Sequence, residues 1–492
     1  MNNTTPLPIK LSTQCVIGGR SVDAQSADTF DTINPATGEV LAKIARGDSA
    51  DVDAAVAAAR RAFDEGPWPR LAPAERKVIM QRFATLLEAN LDELAMMEAL
   101  EAGKPITDCM EIDLPDTINT LRWHAEAADK IYDQVSPSSP GVVSMIVREP
   151  IGVVGVILPW NFPLMMAAWK LGPILASGCC AVLKPAEQTS LSTIRLAEIA
   201  TEAGIPDGVV NVVPGFGETA GRAIGLHNDV DCVGFTGSTE TGRLFLKYSA
   251  DSNLKRVLLE CGGKNPLIVM ADAEDLDSVA DHAANSIFWN MGENCSSNSR
   301  LLVHSSLKDE LIERLLERTH DWTVGDPLEA ATRIGPLIEQ AHMDKVLAAI
   351  NTAKEQGATL VCGGNAVRVD SGGYFVEPTI FADVTPDMAL AREEVFGPVL
   401  AILSFDTPEQ AIALANDSDY GLAASVFTAN NKTAHNAARA IRAGTVAVNC
   451  YGEGDVSTPF GGYKQSGFGG RDKSLAAHDQ YCELKTIWID LS

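Results

Sequence analysis

The amino-acid sequence predicts an α/β fold built around a doubly wound parallel sheet. Between residues 152 and 260, short apolar stretches alternate with stretches whose apolar residues recur at helical spacing. Strands that are apolar throughout are typical of parallel sheets covered by helices on both faces. After residue 305 the alternation resumes with more strongly amphipathic helices, which predicts a second α/β domain. Ligands are expected at the carboxyl ends of the strands.

The first 150 residues are predicted to be mainly helical. Short strands are expected at residues 16–19, 40–44 and 142–148. Helices are expected at residues 52–63, 72–100 and 106–132. Pro115 should kink or interrupt the third helix, because proline removes a backbone donor.

The regular alternation follows. Strands are predicted at residues 152–158, 179–184, 209–213, 231–235 and 255–260. The helices between them are predicted at residues 164–176, 192–203, 219–226 and 240–249. Together they form the predicted parallel sheet with its two helical layers.

The second half contains clear helix signals. Helices are predicted at residues 276–290, 306–322 and 432–443, and strands at residues 400–405, 424–427 and 445–450. Thr407 begins a capping box with Pro408 at the first helical position. Gly444 is expected to end the last helix.

Bulk properties narrow the class of protein. The 492 residues allow about three domains, and a net charge of −26 disfavours nucleic acid and anionic membranes as partners. The uncharged stretch 151–169 contains Pro159 and Pro163, so we expect no membrane span there. Residues 1–14 show no secretory signal, and the ten cysteines form no CxxC pair. We therefore expect a cytoplasmic protein with reduced thiols and no metal site.

Cys295 is the foremost candidate for chemistry. It follows the helix predicted at 276–290 and a glycine turn, and it stands between Asn294 and Ser296. Small polar neighbours are unusual for a cysteine that only fills a core, although a buried structural cysteine is the common alternative.

Two turns after strands are candidates for binding a dinucleotide. Gly237 and Ser238 lie between a strand and a helix, where free N–H groups suit a pyrophosphate, although the GxGxxG spacing is absent. Glu187 follows a strand that ends at Lys184, and a carboxylate there can accept ribose hydroxyls and repel a 2′-phosphate. An ordinary turn and a solvated charge are the alternatives.

Two further polar residues could assist a nucleophile. Glu260 ends an apolar strand, so partial burial would raise its pKa toward that of a general base. Asn161 lies between two prolines, and an amide held in this way can donate to an oxyanion. Taken alone, each could equally be an ordinary strand-end or turn residue.

Seven motifs together resemble one family. In chain order they are PWNFP (159–163), KPAE (184–187), FTGS (235–238), ECGGK (260–264), GENC (292–295), EEVFGP (393–398) and PFGGYKQSG (459–467). Their content and order are similar to the NAD(P)-dependent aldehyde dehydrogenase superfamily across nearly the whole chain.

The resemblance implies roles for individual residues. Cys295 resembles the nucleophile, Asn161 and the Cys295 N–H the oxyanion donors, and Glu260 the base that activates water. The implied cofactor is NAD, with NADP as an alternative. The residues implied to bind it are Trp160, Lys184, Glu187, Gly237, Ser238, Glu394 and Phe396.

The resemblance also implies a domain organisation. Residues 1–130 and 150–262 would form the dinucleotide-binding domain and residues 263–470 the catalytic domain. Residues 131–149 and 471–492 would form a small β flap for oligomerisation. A homodimer or homotetramer is expected.

The C-terminal stretches GEGD (452–455) and GRDKSL (470–475) resemble the aminoaldehyde branch, which includes γ-glutamyl-γ-aminobutyraldehyde dehydrogenases. The residues implied to line the substrate tunnel are Asp113, Asp116, Met166, Trp169 and Asp455. Acidic groups and an indole ring would attract an ammonium tail, so an ω-amino or guanidino aldehyde is the expected substrate. The alternative is that these carboxylates only belong to the acidic surface. A CoA-acylating enzyme and a crystallin-like structural protein are the alternatives at the level of function.

The sequence departs from the family pattern at two positions. Glu293 stands where the family usually has glutamine, and Cys261 where it usually has leucine. An ionised Glu293 close to Cys295 would raise the pKa of the thiol. We expect the Glu293 side chain to point away.

Overall fold

The computed structural model describes residue 9 and residues 11–492. Most of the stretch that was searched for a secretory signal, residues 1–14, lies outside the described part. Within the described residues, no helix is long and apolar enough to cross a bilayer.

The first half of the chain, to residue 260, follows the predicted alternation. Its strands are β1 Cys15–Ile17, β2 Arg20–Val22, β3 Thr29–Ile33, β4 Val40–Ala45, β5 Gln134–Ser136, β6 Val142–Pro150, β7 Val153–Ile157, β8 Cys180–Lys184, β9 Val210–Val212, β10 Cys232–Thr236 and β11 Arg256–Glu260. Its α-helices are α1 Ser49–Asp64, α2 Pro73–Ala89, α3 Leu91–Ala102, α4 Ile106–Asp108, α5 Leu114–Ala127, α6 Pro163–Ser177, α7 Leu191–Glu202, α8 Arg222–Leu226 and α9 Thr239–Ala250.

The second half has shorter strands and more connecting turns. Its strands are β12 Pro266–Val269, β13 Arg300–His304, β14 Thr359–Cys362, β15 Ala366–Val367, β16 Phe375–Val376, β17 Thr379–Ala382, β18 Val399–Phe405, β19 Tyr420–Gly421, β20 Ala423–Phe427, β21 Thr445–Val448, β22 Tyr463–Lys464, β23 Gly467–Phe468 and β24 Cys482–Asp490. Its α-helices are α10 Leu276–Phe288, α11 Lys308–Thr319, α12 Gln340–Glu355, α13 Ala389–Arg392, α14 Pro408–Asn416, α15 Asn431–Ala440 and α16 Ala476–Asp479.

The first sheet confirms the predicted doubly wound architecture. Its eight strands run in the order β2-β1-β9-β8-β7-β10-β11-β23. The five central strands, from β9 to β11, are parallel, and the two edges are completed by antiparallel strands. Strands β7 and β8 are buried at every position, as continuous apolar strands between helical layers should be.

The second sheet confirms the second α/β domain. Its seven strands run in the order β14-β17-β18-β13-β12-β20-β21. All neighbours in this sheet are parallel except the edge pair β14 and β17. Each sheet has its own apolar core, and the half-buried Trp289 packs against both.

A third sheet stands apart, with the order β24-β6-β5. Strands β24 and β6 pair antiparallel along their whole length, from Cys482 opposite Pro150 to Asp490 opposite Val142. Leu484 and Trp488 on β24 are 66% and 64% exposed, which leaves an apolar surface on this small sheet.

Two local predictions need correction, and the interruption expected near Pro115 is confirmed. The helix expected at 72–100 is interrupted at Asn90, which separates α2 from α3. The helix expected at 106–132 is interrupted by a wide π-type turn at Cys109–Asp113, and Pro115 occupies the first turn of α5 directly after it. The helix before Gly444 already ends at Ala440. Glycine is needed at 444 for a different reason, since a Cβ there would lie 1.7 Å from the Gly461 carbonyl oxygen.

Other local predictions are confirmed. The Thr407 hydroxyl accepts a hydrogen bond from the Gln410 N–H at 3.2 Å and so caps α14. Helix α10 ends at Phe288, so the cysteine lies just beyond a helix as expected.

Candidate active site

The carboxyl ends of three neighbouring strands form one side of a cavity of about 270 Å³. The register places Ile157 of β7 beside Phe235 of β10, and Thr236 of β10 beside Glu260 of β11. The turns after these strands therefore open at one edge of the sheet, and the second domain supplies the facing wall. The predicted site residues that line this cavity are Trp160, Asn161, Met166, Trp169, Gly237, Ser238, Glu260, Cys295, Glu394 and Phe396.

A smaller cavity of about 160 Å³ adjoins the first. Cys295 lines both cavities, and so do Met166 and Trp169. The thiol therefore lies where two separate binding spaces meet. This position suits a residue that reacts with one ligand in the presence of another.

The backbone around Cys295 is held by side-chain amides. Asn265 Nδ2 donates to the carbonyls of Cys295 and Ser297 at 2.8 and 3.0 Å. Upstream, Asn290 and Met291 adopt positive φ angles of 52° and 57°, a conformation that non-glycine residues rarely take. Strain of this kind persists only where the surroundings determine the loop conformation.

Asn161 is tied to the same loop. Its Nδ2 donates to the Glu293 carbonyl at 2.9 Å, and the side chain is buried. The amide has a second N–H, which that bond leaves free. Asn161 also lines the larger cavity together with Cys295, so this N–H is available to an oxygen bound beside the thiol.

Glu260 is buried at the end of β11, and its Oε2 has no hydrogen-bond partner in the described residues. Burial raises the pKa of this carboxyl well above its usual range. The nearby Asp472 raises it further, while Lys170 and Arg471 act in the opposite direction. Lys170 and Asp472 form a buried ion pair at 2.9 Å. A base of this kind is ionised only at higher pH than an ordinary glutamate.

The thiol of Cys295 is also in a setting that opposes its ionisation. Burial raises the pKa of Cys295 well above its usual range, and the carboxylates of Glu453, Glu394 and Glu260 add to this effect in that order. The residue suspected from sequence, Glu293, is not among them. Its carboxyl accepts a hydrogen bond from the Ile338 N–H at 3.0 Å and lies 3.6 Å from His342 Nε2.

The opposite wall of the larger cavity contains residues suited to a nicotinamide ribose. Glu394 Oε1 accepts from the Gly263 N–H at 2.8 Å, and burial raises the pKa of Glu394 to about 7. A Cβ at position 262 would lie 1.9 Å from Glu394 Oε2, so glycine is required there. Trp160 and Phe396 stack edge to face with ring centroids 5.3 Å apart.

His342 was missed by sequence reasoning. Its Nε2 lies 2.7 Å from the Phe396 carbonyl oxygen, and its ring packs against Trp160. Burial lowers the pKa of His342 to about 4, so the ring is neutral and Nε2–H donates to that carbonyl. Nothing in its local sequence distinguishes it, because its position in the site depends on contacts with Trp160 and with the distant loop that contains Phe396.

Lys184 and Glu187, which are expected to bind the adenosine ribose, lie outside the larger cavity, whereas Ser238 lines it. Lys184 Nζ pairs with Glu187 Oε2 at 2.8 Å directly after β8. Ser238 caps α9, and its hydroxyl accepts from the Thr241 N–H at 3.2 Å. Because β8 neighbours β7, the pair lies at the same edge of the sheet as Trp160. An extended dinucleotide therefore fits this donor set, with its ends at Glu187 and Glu394.

The smaller cavity brings together only some of the residues that were predicted to line the substrate tunnel. Asp116 and Trp169 both line it, and Trp169 Nε1 donates to Asp116 Oδ2 at 2.9 Å. Glu453 and Lys473 also line it and were missed from sequence. Lys473 Nζ lies 4.3 Å from the centroid of the Trp169 ring, so the indole already carries a cation.

Two residues that were predicted to line the tunnel lie outside both cavities. Asp113 is fully buried, forms an ion pair with Lys104 and lines neither cavity. Asp113 is the last residue of the π-type turn, and Asp116 lies in the first turn of α5. Asp455 is exposed at a turn, where it accepts from Ser457 Oγ at 2.6 Å, and it also lines neither cavity.

Comparison with known proteins identifies the family. The aldehyde dehydrogenase family model matches residues 21–487. The chain is 57% identical to aminoacetaldehyde dehydrogenase of Pseudomonas aeruginosa, over 98% of this chain and 97% of the relative.

Solved structures agree with this assignment. An indole-3-acetaldehyde dehydrogenase in complex with NAD⁺ is 52% identical, with a TM-score of 0.97 over 98% of both chains. The γ-glutamyl-γ-aminobutyraldehyde dehydrogenase from Burkholderia cenocepacia is 50% identical, also with a TM-score of 0.97 over 98% of both chains. The chain therefore belongs to the aldehyde dehydrogenase family, whose members oxidise aldehydes to carboxylic acids with NAD(P).

Proposed function

We propose that Cys295 is the nucleophile of this aldehyde oxidation, and the observation that carries the proposal is its position between the two cavities. The thiol gives up its proton to water, and the sulfur adds to the carbonyl carbon as the C=O π bond opens, which gives the alkoxide form of a thiohemiacetal. The carbonyl oxygen gains negative charge in this step. The free N–H of Asn161 and the backbone N–H of Cys295 would donate to it.

The larger cavity would hold the nicotinamide half of NAD between Trp160, Glu394 and Phe396. NAD, when bound there, supplies the acceptor for the hydride that leaves the thiohemiacetal carbon. The two stacked rings would exclude water from that face. Gly237 and Ser238 would bind the pyrophosphate at the start of α9, and Lys184 and Glu187 the adenosine ribose.

Glu260 would complete the reaction. After loss of hydride the substrate is a thioester on Cys295, and water must replace the sulfur. Glu260 in its carboxylate form removes a proton from that water, which then attacks the acyl carbon. The acid leaves, and the thiol is regenerated.

A CoA-acylating reaction is the alternative at this step, since a thiol could replace water. The buried Glu260 favours hydrolysis, because transfer to a thiol needs no base for water. We expect NADH formation from propanal with NAD alone, at the same rate when coenzyme A is added. A rate that depends on coenzyme A would support the acylating reaction, and no NADH under either condition would support a non-catalytic, crystallin-like protein.

We further propose an ω-amino or guanidino aldehyde as the substrate. The smaller cavity carries two carboxylates, Asp116 and Glu453, against the single ammonium of Lys473. An excess of negative charge favours a cationic tail. The cation above Trp169 is already Lys473, so the tail would pair with the carboxylates and not with the indole face. The similarity to an aminoacetaldehyde dehydrogenase supports the same substrate class.

We expect a higher kcat/KM for γ-aminobutyraldehyde than for hexanal. Asp116→Asn removes one charge while keeping an acceptor for Trp169, so it should lower kcat/KM for the amine by about tenfold. The value for hexanal should not change. Asp455→Asn is the matched control, because that carboxylate lies outside both cavities. It should change kcat/KM for neither substrate. A preference for hexanal in the unmodified enzyme would contradict the proposed substrate.

We also propose an assembly, a domain division and a location. The exposed apolar face of β24, with Leu484 and Trp488, supports a homo-oligomer formed through residues 131–149 and 471–492. The two large sheets support a division into a dinucleotide-binding domain (1–130 and 150–262) and a catalytic domain (263–470), except that β23, within the second range, completes the first sheet. All ten cysteines are free, which supports a reducing compartment such as the cytoplasm.

A further inference from the structure

A buried lysine lies directly behind the proposed oxyanion donor. Lys104, between α3 and α4, is 1% exposed. Its Nζ donates to the Asn161 carbonyl at 3.1 Å and lies 3.9 Å from the centroid of the Phe162 ring. The ammonium therefore contacts two successive residues of the loop between Pro159 and Pro163.

One buried carboxyl group pairs with the lysine, and a second one beside it holds the start of α6. Asp113 forms an ion pair with Lys104, and both side chains are fully buried. Glu98 on α3 accepts from the Leu164 N–H in the first turn of α6 at 2.9 Å. Glu98, Cys109 and Asp113 are close enough together to hold a metal ion, but the ammonium of Lys104 already neutralises Asp113. The cluster is therefore an internal ion pair that anchors the start of α6.

The backbone carbonyl and the side-chain amide of Asn161 make separate hydrogen bonds. Its carbonyl oxygen accepts from Lys104 Nζ and, at 3.3 Å, from Asn290 Nδ2. Its side-chain amide donates to the Glu293 carbonyl. Holding the carbonyl fixes the peptide plane, and the Glu293 contact fixes the rotation of the amide. Together they set the direction of the remaining amide N–H.

We propose that Lys104 is a positioning residue of the oxyanion hole: through the Asn161 carbonyl it aims the free side-chain N–H at the oxygen of the substrate. The inference rests on the proposed role of Asn161. Lys104 touches neither substrate nor cofactor, since it lines neither cavity. It acts only in the step in which charge develops on that oxygen.

A double-mutant cycle with Asn161 tests this role. Lys104→Met keeps an unbranched apolar chain of four heavy atoms and removes only the terminal donor. It should lower kcat by up to about 10²-fold, the cost of a small misplacement of a catalytic group, with KM changed less than about threefold. In the Asn161→Ala background the same substitution should have little further effect, because no amide remains to be aimed. An equal loss of kcat in both backgrounds would overturn the proposal.

Lys104→Met leaves Asp113 buried without its partner, so the folding of that variant must be separated from its catalysis. Lys104→Met/Asp113→Asn removes the pair together and should show the same loss of kcat. Its dissociation constant for NAD, followed by tryptophan fluorescence, should equal that of the unmodified enzyme. A folded double variant with unchanged kcat would also overturn the proposal.

Glu101→Gln provides a matched control. Glu101 lies one turn from Glu98 on α3, is equally buried, and accepts from the N–H groups of Leu191 and Ser192 at the start of α7. Glu101→Gln disturbs a buried carboxyl group that holds the start of α7 instead of the start of α6, so kcat should not change. Failure of the proposed function would be recognised separately, because Asn161→Ala would then itself retain full activity.

Discussion

Replacing Glu260 with glutamine is expected to slow the release of acid by about 10²–10⁴-fold, the usual contribution of a general base, while leaving formation of the thioester intact. The substitution keeps the shape of the side chain and removes its basicity. Stopped-flow absorbance should then show a rapid burst of one NADH per subunit followed by slow turnover. Mass spectrometry of quenched enzyme should find the acyl group on the peptide that contains Cys295.

The pH dependence of kcat provides a second test of the role of Glu260. Burial raises the pKa of Glu260, so the fraction in the active carboxylate form falls as the pH is lowered through that raised value. Steady-state kcat of the unmodified enzyme should therefore rise with pH, and this dependence should disappear in Glu260→Gln. Glu293→Gln is the control, because Glu293 is equally buried but lines neither cavity. Equal kcat in Glu260→Gln and the unmodified enzyme would exclude Glu260 as the base.

The second large effect is expected for Asn161→Ala. Loss of one oxyanion donor typically lowers the rate by about 10²–10³-fold. The free N–H of Asn161 interacts with charge that exists only after sulfur has attacked, so kcat should fall while KM changes little. Steady-state assays with a single aldehyde are sufficient to measure these changes in kcat and KM. In stopped-flow absorbance Asn161→Ala should show no burst of NADH, unlike Glu260→Gln, because the attack of sulfur on the aldehyde becomes slow.

Asn211→Ala is a suitable control for the cost of removing a buried amide. Asn211 is fully buried in β9, and its Nδ2 donates to the carbonyls of Ala181 and Gly208 at 3.2 and 2.7 Å. This variant should lose thermal stability without a specific loss of kcat. If Asn161→Ala retained near-normal kcat, Asn161 would have no part in the mechanism.

The sheet of the first domain was predictable because its strands are continuous apolar stretches. Strands β7, β8, β10 and β11 each lie within the predicted ranges or differ from them by one residue. The sequence predicted ligands at the carboxyl ends of these strands, and the structure places Asn161, after β7, and Glu260, at the end of β11, on one cavity there. Resemblance to the family then supplied Glu394 and Phe396, which local sequence alone would not have selected.

The site residues that the sequence did not reveal are positioned by contacts between segments that are distant along the chain. Glu453 and Lys473 line the smaller cavity although no periodicity or turn pattern distinguishes them. Asp113 and Asp116 are three residues apart, as expected for one face of an α-helix. The structure nevertheless separates their roles: Asp116 lines the smaller cavity, whereas Asp113 is buried and forms an ion pair with Lys104.

The pairing of β23 with β11 has a consequence for folding. Glu260 lies opposite Gly467, and the Cys261 N–H donates to the Ser466 carbonyl at 2.9 Å, so the edge of the first sheet is completed by a segment made much later. On the ribosome, β11 emerges with that edge unpaired and available to other chains. Pairing across so long a separation is slow. Glu260 therefore reaches its buried environment only when the chain is nearly complete, and catalytic competence is one of the last properties that a nascent molecule acquires.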